Sequence, residues 1–280
     1  MNGFRPGPRS SATISLSSGK RRAHRVALFT LPVLLAGCAF GRPLTPEQDL
    51  LHGVRFHGDP SVPVVALTFD DGPNGACTAA VLDALADVAA PATFFVLGTN
   101  VATGDNDAVI ARMAREGHEI GLHGWNHEGR IFVFGNSLRR ELRQTQTSLE
   151  QVFARTGTTP GRRPRFFRPP FGFLTAETAD AATANGYSIV LWTVSVGDWR
   201  RGSTATSITE AIVSRAGSGD VIVLHDGYRN RQVSRTTCTD RPVVAEVVRL
   251  LVPRLRERGL RIAPLGEVLG LDVTAPFARR

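Results

Sequence analysis

The sequence predicts an α/β fold, a distorted (β/α)7-type barrel of parallel strands. From Val62 onward, short apolar runs rich in β-branched residues alternate with longer segments of helical spacing. About seven such units in roughly 210 residues favour a parallel sheet that closes, or nearly closes, into a barrel. An open doubly wound sheet is the alternative, although no glycine-rich phosphate fingerprint follows the first strand.

The expected strands and helices alternate along the chain. The runs that predict strands are 62–70, 92–97, 118–123, 165–169, 188–195, 220–225 and 260–264. The segments that predict helices are 76–89, 105–116, 137–155, 175–185, 204–216 and 242–258. Glycine adopts the left-handed conformation of a helix C-terminus at little steric cost. Four glycines stand where helices are expected to end: Gly117, Gly157, Gly186 and Gly259.

The basic charge of the chain is concentrated near its start. The net charge is +8, but six of the 33 basic residues precede Cys38 and none of the 25 acidic residues does. The rest of the chain therefore carries 27 basic and 25 acidic residues, which is too even a balance for a surface that binds phosphates. We expect no nucleic-acid partner, and no feature of the sequence predicts a protein partner.

The first residues are typical of an export signal. A basic stretch ending at Arg25 is followed by an apolar run, 26–36, that is too short to span a bilayer comfortably. The residues Leu35-Ala-Gly-Cys38 resemble a bacterial lipoprotein cleavage box, in which the cysteine is acylated. We expect an exported protein that faces the cell envelope and is attached to the membrane by a lipid anchor at Cys38. Ordinary signal cleavage and secretion is the alternative.

Two further cysteines, Cys77 and Cys238, fall in segments expected to be loops near the strand ends. Export would place them in an oxidising compartment, where disulfides form and persist. A disulfide between them is our hypothesis. Two free thiols are the alternative, because pairing requires Cα atoms within about 7 Å of each other.

Reactive side chains crowd at the expected carboxyl ends of the strands. Asp70, His123, Arg168 and His225 each end a predicted strand, and Asp198 follows another. In a barrel of parallel strands these ends meet on one face, where active sites form. Five segments that are distant in sequence are therefore expected to share one pocket.

The adjacent Asp70 and Asp71 are expected to have different tasks. Successive side chains of an extended strand point to opposite faces, so one carboxylate can hold a cation while the other accepts a proton. His123 and His127 have the i, i+4 spacing of two ligands to one metal, and Asp71 could complete a site of two histidines and one carboxylate. A solvated Asp-Asp-Gly-Pro turn and two unrelated histidines are the alternatives.

Three other residues have both a functional and a structural interpretation. Arg168 precedes two prolines, so a rigid backbone could hold its guanidinium over a carboxylate, in the site or in a purely structural ion pair. Asp198 could raise the basicity of a nearby histidine, or it could be a loop carboxylate beside the packing indole of Trp199. His225 could instead be a core histidine whose hydrogen bonds are satisfied.

Taken together, these motifs resemble the polysaccharide deacetylase family, the NodB-homology or carbohydrate esterase family four, over about residues 62 to 268. Thr68-Phe-Asp-Asp-Gly72 resembles the first motif of the family, which implies that Asp70 is the catalytic base and Asp71 a metal ligand. The second motif implies that His123 and His127 are the other ligands.

The three remaining motifs imply further roles by the same resemblance. Arg168 would orient the base, and the backbone N–H of Phe171 would help to bind the oxyanion. Asp198 would tune the general acid, His225, and Trp199 would line the acetyl pocket. Leu224, in the fifth motif, is expected on the substrate side of the site. Gly124, Ser195 and Phe171 depart from the usual residues of the family. The departure at Gly124 concerns how firmly the histidine loop is braced, whereas Ser195 and the loop that carries Trp125 indicate a non-standard substrate.

The leader, the polar and proline-bearing segment after it and the extent of the resemblance together predict the division of the chain. The resemblance also implies its activity. Residues 1–37 would be the signal peptide, 38–60 a tether, 61–270 the catalytic domain and 271–280 a C-terminal tail. The domain would use a divalent metal, with Zn²⁺ favoured over Co²⁺ or Ni²⁺, to hydrolyse N-acetyl groups of an acetylated glycan such as peptidoglycan or a chitin-like polymer.

Three other functions are alternatives to N-deacetylation. An O-acetyl esterase acting on a polymer such as xylan would use the same residues. A non-haem iron oxygenase also uses two histidines and a carboxylate, but the β/α pattern gives it little support. A non-catalytic glycan-binding relative is the non-enzymatic alternative. The apolar segment 131–134 could be the wall of a substrate subsite or a packed loop.

Overall fold

The computed structural model describes residues 51–128, 135–161, 164–227, 236–239 and 241–271. The expected signal peptide, Cys38, the first part of the tether, the apolar segment 131–134 and nearly all of the C-terminal tail lie outside the described residues.

The described residues form eight parallel strands. They are β1 (Val64–Asp70), β2 (Thr93–Val96), β3 (Glu119–Leu122), β4 (Phe166–Phe167), β5 (Ser188–Ile189), β6 (Val194–Ser195), β7 (Val221–His225) and β8 (Arg261–Ile262). The order across the sheet is β5-β4-β3-β2-β1-β7-β6, and β8 pairs with the first residues of β1. The sheet curls into a half-barrel with helices packed around it, which confirms the predicted α/β fold class.

The helices of the described segments follow the strands in the expected alternation. They are α1 (Gly75–Asp87), α2 (Gly98–Ala102), α3 (Asp107–Arg115), α4 (Gly135–Thr156), α5 (Ala176–Ala184), α6 (Ala205–Val213), α7 (Val244–Glu257) and α8 (Leu265–Val268), with a 3₁₀ turn at Pro170–Gly172. Thr175 and Thr204 cap α5 and α6, because each side chain accepts a hydrogen bond from the backbone N–H three residues later. In the part of the chain that is described, no helix combines the length and apolarity needed to cross a membrane.

The central strand β1 is buried along its whole length, as expected for a parallel strand covered on both faces. Leu67 and Phe69 have no exposed surface, and the ring of Phe69 stacks on Phe94 of β2 with centroids 5.1 Å apart. Helices α1 and α7 pack against each other. The strands that end at the carboxyl edge of the sheet are therefore buried in an apolar core.

The structure differs from the sequence prediction at 188–195. The single strand expected there is divided into β5 and β6, because Val190 pairs with Arg55 and the chain turns before it joins β7. Helices α2 and α8, of five and four residues, were not predicted. Segments this short carry too few periodic positions to be recognised from sequence.

The folded part of the chain begins before residue 61, inside the segment expected to be a tether. Val54 is buried, Arg55 forms a parallel bridge with Val190, and His57 forms an antiparallel bridge with Asp220. Arg55 thus pairs with the residue that follows β5, and His57 with the residue that precedes β7. Residues 54–58 therefore belong to the domain.

Cys77 and Cys238 form a disulfide, with Cα atoms 4.5 Å apart. Cys77 lies in the first turn of α1, which agrees with the helix predicted at 76–89 and not with the loop expected at this cysteine. Cys238 lies in the connection between β7 and α7. The bond fixes part of this connection to the helix that follows Asp70 and Asp71.

Candidate active site

The carboxyl edge of the sheet brings together the side chains that the sequence placed at strand ends. Asp70 and His225 are direct neighbours in the register of β1 and β7. His123 follows β3, and Arg168 follows β4, with the backbone N–H of Arg168 donating to Leu122 O at 2.9 Å. Asp198, in the turn after β6, reaches His225. The structure therefore brings these five distant segments together at one site, as expected.

Asp70 and Asp71 diverge, but strand alternation is only part of the reason. β1 ends at Asp70, and Asp71 adopts a left-handed backbone conformation with φ of 74°. This is uncommon for a residue other than glycine. The turn directs the carboxylate of Asp71 to the two histidines and leaves that of Asp70 facing Arg168.

Arg168 is fully buried, and each nitrogen of its guanidinium donates at least one hydrogen bond. Its Nη1 donates to Asp70 Oδ1 at 2.8 Å and to Thr68 Oγ1 at 2.7 Å, while Nε and Nη2 donate to the carbonyls of Val190 and Leu191. The guanidinium also lies over the ring of Phe95, 4.0 Å from its centroid. Asp70 is therefore held in one orientation with its charge paired.

Asp71, His123 and His127 form a group that could hold a metal ion. Their ligand atoms all lie within 4.8 Å of one another, and Asp71 Oδ1 is 3.5 Å from Nε2 of His123 and 3.3 Å from Nε2 of His127. Two ligands at about 2.1 Å from a tetrahedral ion are about 3.4 Å apart. Asp71 Oδ1 is buried and has no hydrogen bond among the described residues. The donor set and its spacing fit a divalent transition metal.

A hydrogen bond sets the orientation of the first histidine. Nδ1 of His123 lies 2.7 Å from the carbonyl oxygen of Arg168, which can only accept. The proton of the neutral imidazole is therefore on Nδ1, and the lone pair of Nε2 is directed toward Asp71. A second hydrogen bond of this kind is the usual way in which a protein orients a histidine ligand.

The charges around Asp71 keep it ionised. Burial alone would raise the pKa of this carboxyl, but its interaction with His123 and the charges of the neighbouring His225 and His127 outweigh burial and lower the pKa to about 2. A carboxylate in this state offers an anionic ligand without first losing a proton.

His225 is paired with Asp198 through two hydrogen bonds. Its Nδ1 is 2.9 Å from Asp198 Oδ1, and its backbone N–H donates to Asp198 Oδ2 at the same distance. Burial opposes protonation, but the hydrogen bond and charge of Asp198, aided by Asp71 and Asp70, outweigh it and raise the pKa of His225 to about 9. His225 is thus a cation at neutral pH and not a neutral core histidine.

Two exposed aromatic rings flank the histidines. Phe171, 53% exposed, contacts His127 edge-to-face with ring centroids 4.4 Å apart, and Trp199, 45% exposed, contacts His225 in the same way at 4.9 Å. The structure does not bring Leu224 to this surface. It has no exposed area and lies in the core, because it points to the face of β7 opposite to its neighbour His225.

Three polar residues of the site were missed from the sequence. Asn100 donates from Nδ2 to the carbonyl of Asp71 at 3.0 Å and so supports the left-handed turn. Thr78 donates to the fully buried Asp226 at 2.5 Å. Burial, together with the charges of Asp71 and Asp70, raises the pKa of Asp226 to about 7 despite that bond. Asn100 and Asp226 closely follow the ends of β2 and β7, and this position in the sequence could have identified them as site residues.

Known proteins share this arrangement of strands and motifs. A family model described as polysaccharide deacetylase matches residues 57–190. The chitooligosaccharide deacetylase of Bradyrhizobium sp. (strain ANU 289) is 33% identical over 216 residues, which cover 76% of this chain and 94% of that protein. The chain belongs to the polysaccharide deacetylase family.

Other members of the polysaccharide deacetylase family are similar to this chain. A peptidoglycan-N-acetylglucosamine deacetylase of Bacillus cereus is 34% identical over 208 residues, which cover 74% of this chain and 88% of that protein. The crystal structure of the Bc1960 peptidoglycan N-acetylglucosamine deacetylase matches with a TM-score of 0.71 and 27% identity, over 83% of this chain and all of that one. The family and the class of hydrolytic enzyme expected from the motifs are confirmed.

Replacing Asp198 with asparagine in this polysaccharide deacetylase is expected to lower the pKa of His225 from about 9 toward its ordinary value, because the carboxylate that stabilises the imidazolium is lost. A pH titration of the imidazole resonances by NMR on metal-free protein measures the shift. His118, whose pKa burial lowers to about 4, is the internal control and should not move. An unchanged pKa of His225 would contradict the assigned pairing.

Proposed function

We propose that this protein is a metal-dependent deacetylase that removes N-acetyl groups from an amino-sugar polymer, with Asp70 as general base and His225 as general acid. The proposal rests on the positions of Asp70 and His225. They are direct neighbours in the sheet, Asp70 adjoins Asp71 of the Asp71, His123 and His127 cluster, and each has its own partner residue. Hydrolysis of an amide needs a base and an acid placed on the same reacting group.

Asp70 is suited to take a proton from water. Its carboxylate is fixed by a hydrogen bond from Arg168 Nη1 to one oxygen, Oδ1, and it ends β1 directly before Asp71 of the proposed metal site. The fixed orientation reduces the entropy that would otherwise be lost in reaching the reactive arrangement.

His225 is suited to give a proton to the leaving amine. Its raised pKa keeps the imidazole protonated at neutral pH, and Asp198 holds Nδ1 so that Nε2 is the nitrogen left to donate. An amine without this proton is a very poor leaving group. The backbone N–H of Phe171 would stabilise the oxyanion, and Trp199 would border the acetyl group.

Asp71, His123 and His127 would hold the divalent metal. When bound, such a metal supplies positive charge that stabilises the oxyanion and lowers the pKa of water from about 15.7 toward about 7. Two imidazoles and a carboxylate suit Zn²⁺, and would also accept Co²⁺ or Ni²⁺.

Peptidoglycan is the favoured substrate and chitin-like oligomers are the next. The family relatives named above are a peptidoglycan-N-acetylglucosamine deacetylase and a chitooligosaccharide deacetylase, which supports an N-acetyl substrate. The test is acetate release by the metal-loaded protein from peptidoglycan, chitooligosaccharides and acetylxylan. Release from an N-acetyl polymer that stops on chelation and returns with Zn²⁺ is expected. Release from acetylxylan alone would favour the esterase, and no release from any polymer would favour a glycan-binding protein.

The roles of two residues can be separated by substitution. Asp70→Asn is expected to bind zinc as the wild type does and to lose about 10²- to 10⁴-fold in kcat, since it removes the base and leaves the ligands. His127→Ala is expected to lose the metal itself. Zinc content after dialysis and the rate of acetate release measure the two effects. An Asp70→Asn protein with wild-type kcat would refute the role of this carboxylate.

We also propose that the protein is exported and anchored by lipid at Cys38, where it would face peptidoglycan. The support is the basic and apolar leader and the Leu35-Ala-Gly-Cys38 sequence. The wild type is expected in the membrane fraction of producing bacteria, and Cys38→Ser in the soluble exported fraction. Equal release of both proteins into the medium would show that ordinary cleavage occurs instead.

A further inference from the structure

The loop between the two histidines is held by side chains of α4. Glu141 and Thr145 stand one turn apart on the same face of this helix. Glu141 Oε2 accepts a hydrogen bond from the backbone N–H of Trp125 at 3.0 Å, and the Thr145 hydroxyl donates to the carbonyl of Gly124 at 3.1 Å. Both bonds end on the main chain between His123 and His127.

The first turn of α2 also holds this loop, through its backbone N–H groups. The backbone N–H of Gly98 donates to Gly124 O at 3.1 Å, and that of Thr99 donates to Trp125 O at 2.8 Å. A Cβ atom on Gly98 would overlap the ring of Trp125 and the hydroxyl of Thr145. The loop is therefore packed closely between the two helices.

The loop needs this support because two of its residues have a left-handed backbone, which is unfavourable at His127. Gly124 has φ of 84° and His127 has φ of 57°. For a residue with a side chain, the left-handed conformation costs about 1–2 kcal/mol. It is nevertheless required here, since it directs Nε2 of His127 to within 3.3 Å of Asp71 Oδ1. Gly124 has no side chain that could supply the support from within the loop.

The two bonds from α4 are shielded from water to different degrees. Thr145 has no exposed surface. Glu141 is half-buried, and burial raises the pKa of its carboxyl, although the bond from Trp125 N–H acts in the opposite direction. A hydrogen bond that is shielded from water is stronger than one in solvent, so these two side chains can hold the loop backbone in place.

We propose that Glu141 and Thr145 are positioning residues of the metal site, which hold the 124–127 backbone in the conformation that brings His127 to the cation. They act through the main chain of the loop, at Trp125 and Gly124. The proposal rests on the metal site of the proposed function, and it concerns the affinity of that site.

The test is the dissociation constant for Zn²⁺, measured on metal-free protein by competition with a chromophoric chelator. Glu141→Ala and Thr145→Val are each expected to bind Zn²⁺ about 10- to 100-fold more weakly, the usual loss when a partner outside the ligand set is removed. Glu141→Gln keeps an acceptor and Thr145→Ser keeps the hydroxyl, so both are expected to stay within about threefold of the wild type.

Matched controls are available on the same helix. Glu150 and Thr147 are exposed and lie away from the histidine loop, so Glu150→Ala and Thr147→Val should leave the affinity unchanged. Thermal unfolding of each metal-free variant reports its fold. If Glu141→Ala fails to fold, Thr145→Val, which has nearly the same shape as the wild type, decides the question.

The outcomes separate this proposal from the one on function. Wild-type affinity in folded Glu141→Ala and Thr145→Val would overturn the positioning role and leave the proposed function intact. Equal weakening in the Gln and Ser variants would also overturn it, because the hydrogen-bonding group would then be irrelevant. A wild-type protein that takes up no Zn²⁺ would overturn both proposals.

Discussion

The ion pair between Arg168 and Asp70 is enclosed by the protein, with side chains 0% and 3% exposed. Removing two charges from water costs several kcal/mol for each ion, so the pair persists only if all its hydrogen-bonding groups find partners. Those partners are Thr68 of β1 and the carbonyls of Val190 and Leu191 after β5. The need to satisfy one guanidinium thus fixes the relative positions of three distant chain segments, and the remaining site residues are arranged around them.

The surrounding charges shift two neighbouring groups in opposite directions. The pKa of Asp71 falls to about 2, and that of His225 rises to about 9, although both are largely withdrawn from solvent. Each shift depends in part on the other group, because the anion favours the imidazolium and the imidazolium favours the anion. Over the whole neutral range, the pocket therefore presents an anionic ligand and a cationic proton donor side by side.

The sequence predicts well those features that local pattern determines. The apolar run that ends at Asp70 predicted the bounds of β1 to within two residues. The long helical pattern of 137–155 predicted the bounds of α4 equally well. The division of 188–195 into two strands depends on Arg55, more than 130 residues away, which no local pattern contains. The direction of Asp71 depends on a backbone angle supported by Asn100. Leu224 could have been placed correctly, because the alternation rule applied to Asp70 and Asp71 also directs it away from His225.

The disulfide between Cys77 and Cys238 has a consequence for the unfolded chain. The two residues are 161 positions apart, and the covalent ring that they close contains His123, His127, Arg168, Asp198 and His225. Closing a ring of this size removes conformational entropy from the denatured ensemble worth about 5 kcal/mol in the chain-entropy account. That is comparable to the whole net stability of many domains. A thiol reductant would therefore weaken this protein much as a mild denaturant does, without touching any residue of the pocket.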